Sequence, residues 1–429
     1  MASTDSSGEA ALGQHVDSSP RALLHLPGDL LRAVVSHLEG SCLARCACTC
    51  HALRSTVEDD QLWAVAIRRR WGWLIGCGGR PSGGGWREYY VQLHGGASAR
   101  FVVVGVSAPT DLQPGDLSSV RQMAAHYKVQ QGTWQITPGL LRPLPRSMAS
   151  VLRDDGGALV IVGGMGPVRS GILERHVALN VVERLSDGHT WDPLPSLQEA
   201  RCCAGAVNDG RGSLWCLGGG ESMYSHSRTL CSVERLLWQP PEQAATGLSD
   251  GTADGPMGGG WRFGPPMGEC RCAFGCAVGL ETQHIVAAGG YGGDHRYLDS
   301  AELLDLTGDG RWVGLPRLSC KRSGCAAAAG PDRRIYVIGG GPDGRGQHRS
   351  MEALDVRAPS WDTSLAPARV GRHYNAAAFG PDGRLYCSGA FRHEGQLDVV
   401  ERYDPRADRW EDLPDVGIVI GFSAGAFLF

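Results

Sequence analysis

The chain has 429 residues, a formal net charge of −4 and a pI of about 6.4; this balance offers no basic footprint for nucleic acid or an anionic membrane surface. No run of residues approaches the roughly 18 apolar positions needed to span a bilayer as a helix. Glycine is the outlier at 62 residues, about twice its usual share, and such an excess favours a turn-rich β protein over a helical one.

At the start of the chain, MASTDSSGEAALGQHVDSSP has neither a basic n-region nor an apolar h-region, so it does not read as a secretory signal. Residues 1–21 are small and polar and are expected to be disordered. The fifteen cysteines are odd in number, and without a secretion signal they point to reduced thiols and a cytoplasmic or nuclear chain. Their densest cluster is Cys42, Cys46, Cys48, Cys50 and His51. Steps of two residues on a predicted helix send side chains to different faces and cannot close a tetrahedral metal site. These cysteines read as small buried apolar groups, and no metal or cofactor is predicted.

Residues 22–64 predict a small helical module. Leu30, Val34 and Leu38, flanked by Leu31 and Val35, form an apolar stripe at helical spacing. Pro27 suits a first turn, Asp29 favours the positive end of the helix dipole, and Gly40 stops the helix. A second helix starts after Ser41, and a third runs from about Glu58 through Trp63. The order L-P-x-x-L-L (Leu26, Pro27, Leu30, Leu31), an apolar turn near Leu38, a Cys-rich second helix and a closing Leu62-Trp63 resembles an F-box. Gly28 and Asp29 replace the usual Asp-Glu, and Thr49-Cys50-His51 stands where Val-Cys-Lys is common; neither change breaks the apolar pattern. Residues 65–98, with AIRRRWGW and WREYYVQL, read as a helical linker like the short helices that trail an F-box. The bland alternative is a small helical bundle with another role.

Further along, RIYVIGGG (334–341) continues to Gly344 as a formal G-x-G-x-x-G after an apolar strand. A dinucleotide loop would need a helix after it and no proline within it; here Pro342 interrupts the loop and no helical segment follows. The stretch instead belongs to a repeat. Aliphatic runs end in glycine pairs at LVIVGG (159–164), LWCLGG (214–219), HIVAAGG (284–290) and IYVIGG (335–340), with a degenerate LYCSGA (385–390). A glutamate follows each pair (Glu183, Glu234, Glu302, Glu352, Glu401), and then a tryptophan (Trp191, Trp261, Trp312, Trp361, Trp410). Ahead of each pair an arginine opens a run of small residues: Arg146, Arg201, Arg271, Arg322 and Arg372. The last units recur at about 50 residues, the size of a propeller blade.

Each unit predicts four strands: an inner one of small residues, a buried aliphatic one, a third bearing the glutamate, and an outer one opened by the tryptophan. Residues 101–134 hold the last three strands of a further unit, and GIVIGFSAGAFLF (417–429) supplies the missing inner strand. Joined, they complete a sixth blade and remove exposed sheet edges. Residues of about 239–260, rich in Pro, Gly and Ser, predict a surface loop inserted in the unit that opens at Arg201.

The order Arg, Gly-Gly, Glu, Trp resembles the kelch repeat. The expected fold is therefore mainly β with a small α module: a six-bladed kelch-type β-propeller over 99–429, closed by its C-terminal strand and preceded by a helical F-box. The combined resemblance to F-box/kelch-repeat proteins implies a substrate receptor of a Skp–cullin–F-box ubiquitin ligase. A Skp-type adaptor, and through it a cullin–RING ligase, would dock on Leu26, Pro27, Leu30, Leu31, Val34 and Trp63. The propeller would hold a protein substrate whose identity the sequence does not reveal. In related receptors some arginines at this repeat position bind acidic peptides, which makes Arg146, Arg201, Arg271, Arg322 and Arg372 candidate substrate contacts; the alternative is that they hold blades together. Some kelch propellers are enzymes, but here the histidines are scattered with no H-x-H or H-x3-H pair, and no G-x-S-x-G elbow occurs. No catalytic residue is predicted. A kelch scaffold without ubiquitin transfer is the remaining alternative.

Overall fold

The computed structural model describes residues 62–63, 100–107, 121–137, 149–154, 158–170, 173–186, 190–221, 228–237, 260–279, 283–308, 310–341, 347–389, 399–414 and 421–428. The chain divides into two units, residues 1–67 and 68–429. In the first, Leu62 and Trp63 are helical and buried. The expectations for residues 1–61, the linker and the 239–259 insertion lie outside the described residues.

The second unit is mainly β, and its five repeats fold into five blades of a β-propeller. The first repeat pairs Ser150–Arg153, Leu159–Val162, Val182–Ser186 and Thr190–Leu194 in that order. The second pairs Gly205–Asn208, Ser213–Leu217, Val233–Leu237 and Arg262–Phe263. Gly275–Gly279, His284–Ala288, Ala301–Asp305 and Trp312–Leu315 make the third. The fourth has Ser323–Ala329, Ile335–Gly341 and Met351–Leu354, with a bridge from Ala353 to Asp362 in place of a full outer strand. The fifth has Ala376–Phe379, Leu385–Ser388, Glu401–Asp404 and Arg409–Asp412. The strand pairs within these sheets are antiparallel.

Side-chain size explains the layering. The aliphatic second strands are buried along their whole length in all five repeats, because each is covered by a neighbouring sheet on either face. Leu152, Val160 and Val162 of the first repeat pack with Leu214, Cys216 and Trp261 of the second. The fourth and fifth repeats meet through Tyr336, Ile338, Phe379 and Tyr403 in the same way. Each fully buried aliphatic of this kind contributes about 1.5–3 kcal/mol. The core is thus a series of seams between blades. Toward the channel the inner strands crowd: a Cβ on Gly275 would lie 2.8 Å from the Ala327 Cβ. Only small residues fit, and a cavity of ≈160 Å³ at the axis is lined by Ser150, Ala204, Gly205, Gly275, Ala326 and Ala376 among others.

The tryptophans stitch successive repeats. Each indole N–H donates to a carbonyl in the segment that leaves the preceding repeat: Trp261 to Pro195 (2.9 Å), Trp312 to Pro265 (2.9 Å), Trp361 to Pro316 (2.8 Å) and Trp410 to Ala366 (2.8 Å). One feature departs from the expected pattern. Between the second and third strands of the first repeat, Met165–Ser170 and Leu173–Ala178 form a separate antiparallel hairpin.

A further sheet combines both ends of the unit. Arg100–Ser107, Arg121–Lys128 and Thr133–Thr137 pair in sequence, and Gly421–Leu428 pairs antiparallel with the first of them. Val102 packs with Leu159, Ile161 and Leu185 of the first repeat, while Tyr127 meets Tyr386 of the fifth at 6.1 Å between ring centres. Deleting residues 419–429 removes one partner of Arg100–Ser107 and leaves an open edge. The truncated chain is predicted to melt at lower temperature or aggregate in a thermal scan; a deletion that melts like the full chain contradicts this role.

Candidate functional site

The five arginines were the sequence's candidates for contact with substrate. Arg146 lies outside the described residues. The other four are fully buried, each at 0% exposure, and point into the blade instead of toward the channel mouth. This is a correction to the expected placement. A ligand contact needs a guanidinium at the surface, and none of these four has one.

Their partners repeat from blade to blade. In Arg201, Nη2 donates to Glu234 Oε1 at 2.6 Å and Nη1 to the carbonyls of Gly218 (2.8 Å) and Ser232 (3.1 Å). Arg271 reaches Glu302 (2.5 Å), Gly289 (2.6 Å) and Ser300 (3.2 Å). Arg322 bonds Glu352 through Nη2 (2.8 Å) and Nε (3.0 Å), and donates to Gly339 (2.8 Å) and Ser350 (3.0 Å). For Arg372 the partners are Glu401 (2.5 Å), Gly389 (3.1 Å) and Val399 (2.8 Å). The alternative, in which these arginines serve the architecture, is thus what the four show, although each pairs with the glutamate of its own repeat and not with a neighbouring blade's acid.

Three sequence features meet here for physical reasons. The first glycine of each pair turns its carbonyl inward at positive φ, from 54° at Gly218 to 71° at Gly339, a region that side chains resist. The second donates its N–H to the carbonyl of the next repeat's arginine: Gly164 to Arg201 (2.9 Å), Gly219 to Arg271 (2.9 Å), Gly290 to Arg322 (2.6 Å) and Gly340 to Arg372 (2.7 Å). Each glutamate also caps the incoming chain. Glu234 accepts from the backbone N–H of Gln198 (2.7 Å) and Glu199 (3.1 Å), and Glu302 from Gly268 (2.7 Å) and Glu269 (3.1 Å). Sequence reasoning missed the serine two residues before the glutamate (Ser232, Ser300, Ser350), whose hydroxyl accepts from the arginine at 3.2, 3.3 and 2.7 Å. The recurring S-x-E could have revealed it.

Around the channel mouth a second set of contacts runs between blades. Cys203, Ala273, Gly324 and Tyr374 all have positive φ, from 50° to 66°. The N–H of Ala273 donates to Cys203 (2.8 Å), that of Gly324 to Ala273 (2.7 Å), and that of Tyr374 to Gly324 (2.7 Å). Nearby thiols are packing groups. Burial pushes Cys216, Cys272 and Cys276 up to about 12, and it pushes His373 down to about 4, leaving that ring neutral at neutral pH. Among the described residues no group of three or more His, Cys, Asp or Glu is arranged to hold a metal ion. Of the predicted adaptor contacts, Trp63 is buried, while Leu26, Pro27, Leu30, Leu31 and Val34 lie outside the described residues.

Comparison with known proteins agrees with both halves of this arrangement. The family model described as F-box-like matches residues 23–67, and that of the Kelch motif matches residues 372–417. Human Kelch-like protein 34 is 31% identical over 244 residues, covering 54% of this chain and 34% of that protein. An F-box/kelch-repeat protein of Arabidopsis thaliana is 31% identical over 159 residues, 36% of each chain. The chain thus spans about a third of the length of these relatives. The solved structure of YjhT shares the fold at a TM-score of 0.52 and 13% identity, over 68% of this chain and 91% of that one. The class is therefore a kelch-repeat β-propeller with an F-box-like segment ahead of it. The chain resembles the F-box/kelch-repeat proteins in carrying both matches.

Breaking one side of a buried ion pair leaves an uncompensated charge and costs about 3–5 kcal/mol. Arg322→Ala is accordingly predicted to lower stability by about that amount in denaturant melts. A variant that melts like the parent while losing partner capture would instead restore the substrate-contact role.

Proposed function

We propose that this chain is the substrate-recognition subunit of a Skp–cullin–F-box ubiquitin ligase. The observation that carries the reading is the joining, in one chain, of an F-box-like segment at 23–67 to kelch repeats. The F-box would dock a Skp-type adaptor, and through it a cullin–RING ligase, with Leu26, Pro27, Leu30, Leu31 and Val34 at or beneath the contact and Trp63 in the supporting core. A module this small cannot bury all the apolar surface it carries, so a partner supplies the cover. The propeller would present the protein to be ubiquitinated, and the chain itself would supply no catalytic group. Its free thiols fit a reducing cytoplasm or nucleus.

We infer also that the sheet joining 100–137 to 421–428 is the sixth blade of a closed ring. Trp134 supports this: its indole donates to the Pro414 carbonyl at 2.7 Å, in the segment that leaves the fifth repeat. That is the stitch the other repeats make. A closed ring gives the receptor a rigid platform, because it leaves only short, protected strand edges.

Buried aliphatic anchors carry most of the energy of an interface. Replacing Leu30 and Leu31 together by Ala is predicted to cost several kcal/mol of adaptor affinity and to abolish co-purification of adaptor and cullin. Undiminished co-purification by the double variant would sink the ligase reading and favour a kelch scaffold.

A further inference from the structure

In each repeat the segment leading into the third strand runs against the segment that opens the next repeat. Two backbone hydrogen bonds fix how they meet. In the first seam Leu197 donates to the Asn180 carbonyl and Arg201 to that of Leu179. The same pair of bonds recurs from Met267 to Cys231 and Arg271 to Leu230, and from Leu318 to Asp299 and Arg322 to Leu298. It recurs again from Ala368 to Arg349 and Arg372 to His348. Each time, the residue before the arginine is brought beside the residue after the arginine's acceptor, as in an antiparallel pair. Those positions hold Asn180 and Ala200, Cys231 and Cys270, Asp299 and Lys321, and Arg349 and Gly371. Of these four seams, one sets a cysteine beside a cysteine.

At that seam the backbone bonds are 2.9 Å from Met267 to Cys231 and 3.1 Å from Arg271 to Leu230. Both cysteines are free thiols and half-buried, so a small solute can reach them. Their side chains hydrogen-bond to each other. Burial, and then this bond to Cys231, pushes the Cys270 thiol up to about 11. Cys270 therefore keeps its proton and directs it at the Cys231 sulfur, which is left to react first. The exposed guanidinium groups of Arg296 and Arg228 stand close enough to pull in the opposite direction, as cations do for a thiolate. Elsewhere in the propeller Cys202, Cys216, Cys325 and Cys387 are buried.

We propose that Cys231 and Cys270 form an oxidation site that a peroxide closes to a disulfide across the seam between the second and third repeats. The Cys231 thiolate attacks one oxygen of hydrogen peroxide: an S–O bond forms, the O–O bond breaks, and hydroxide leaves with the thiol's proton as water. Cys270 then gives up its proton and attacks the Cys231 sulfur. The S–S bond forms, the S–O bond breaks, and a second water departs. Both electrons pass from sulfur to the peroxide oxygens, and a thiol reductant reverses the link by exchange. The disulfide closes a loop of roughly 40 residues that contains the whole 239–260 insertion, and the constraint on the unfolded chain grows with loop length. It also ties Ser232, whose carbonyl and hydroxyl hold Arg201, to the residue next to Arg271. A reversible bond of this kind suits a compartment where disulfides are transient. The inference rests on the thiol pair and does not require the ligase reading.

The test uses the full chain, reduced with dithiothreitol, freed of it, and treated with hydrogen peroxide alone. Remaining thiols are blocked with N-ethylmaleimide, and unreduced tryptic peptides are read by mass spectrometry. Trypsin cuts after Arg228, Arg235, Arg262 and Arg271, so residues 229–235 and 263–271 each carry a single cysteine. These two peptides are expected to appear joined before any other pair and to separate in dithiothreitol. The oxidised chain is expected to melt several degrees above the reduced one. Cys231→Ser and Cys270→Ser are each expected to abolish both the link and the gain, while melting like the parent before oxidation. The two variants are independent, so one that misfolds leaves the other to decide. A first link between other cysteines, oxidation of Cys231 to sulfinic acid without a link, or a joined pair with no gain in melting temperature overturns the proposal. So does a gain that survives in the serine variants.

Discussion

A guanidinium buried at 0% exposure needs a carboxylate beside it, and four times in this chain the glutamate of the third strand supplies one. An unpaired charge in such a place costs several kcal/mol, so the arginine dictates what surrounds it. It needs a carboxylate from the third strand, an inward carbonyl from the glycine pair, and chain ends close enough to complete the set. The glutamate then has lone pairs left for the backbone of the incoming segment, and the second glycine has an N–H left for the next blade. Each repeat is thereby fixed internally and tied to its neighbour. The other seams, the tryptophan stitches and the left-handed residues at the channel mouth, fall into place around it.

Much of this was legible in the sequence. Glycine pairs, glutamates and tryptophans recur in order, and the structure puts them at a positive-φ turn, a third strand and an outer stitch. The small residues before each pair line the axis, as strand crowding requires. What could not be read was direction. Arg201 and its equivalents occur at one repeat position whether they face the channel or the blade interior, and only the fold shows that Glu234 and the Gly218 carbonyl draw the side chain inward. The hairpin Met165–Ala178 escaped notice because it interrupts one repeat without disturbing the order of its landmarks. The pairing of Cys231 with Cys270 was hidden for another reason: the insertion separates them in sequence, and they meet only across the seam between two repeats.

The repeat also separates stability from recognition. Positions that recur in every unit are occupied by blade architecture, which leaves them little freedom to contact a partner. Recognition then falls to positions where one repeat differs from the rest, since a propeller tolerates variation on its outer strands and loops. The thiol pair of Cys231 and Cys270 is a difference of this kind, standing where the next seam has Asp299 and Lys321.

The central claim is that the buried arginine–glutamate pairs and the glycine-to-arginine bonds hold the blades as one cooperative body. Native-state hydrogen exchange measures this directly, because local and global openings differ in free energy. The amides of Gly164, Gly219, Gly290 and Gly340, which donate to the next repeat's arginine, are predicted to exchange only through global unfolding, with a common free energy that falls together in denaturant. Exchange of these four amides by fast local openings, independent of the global transition, would contradict the account.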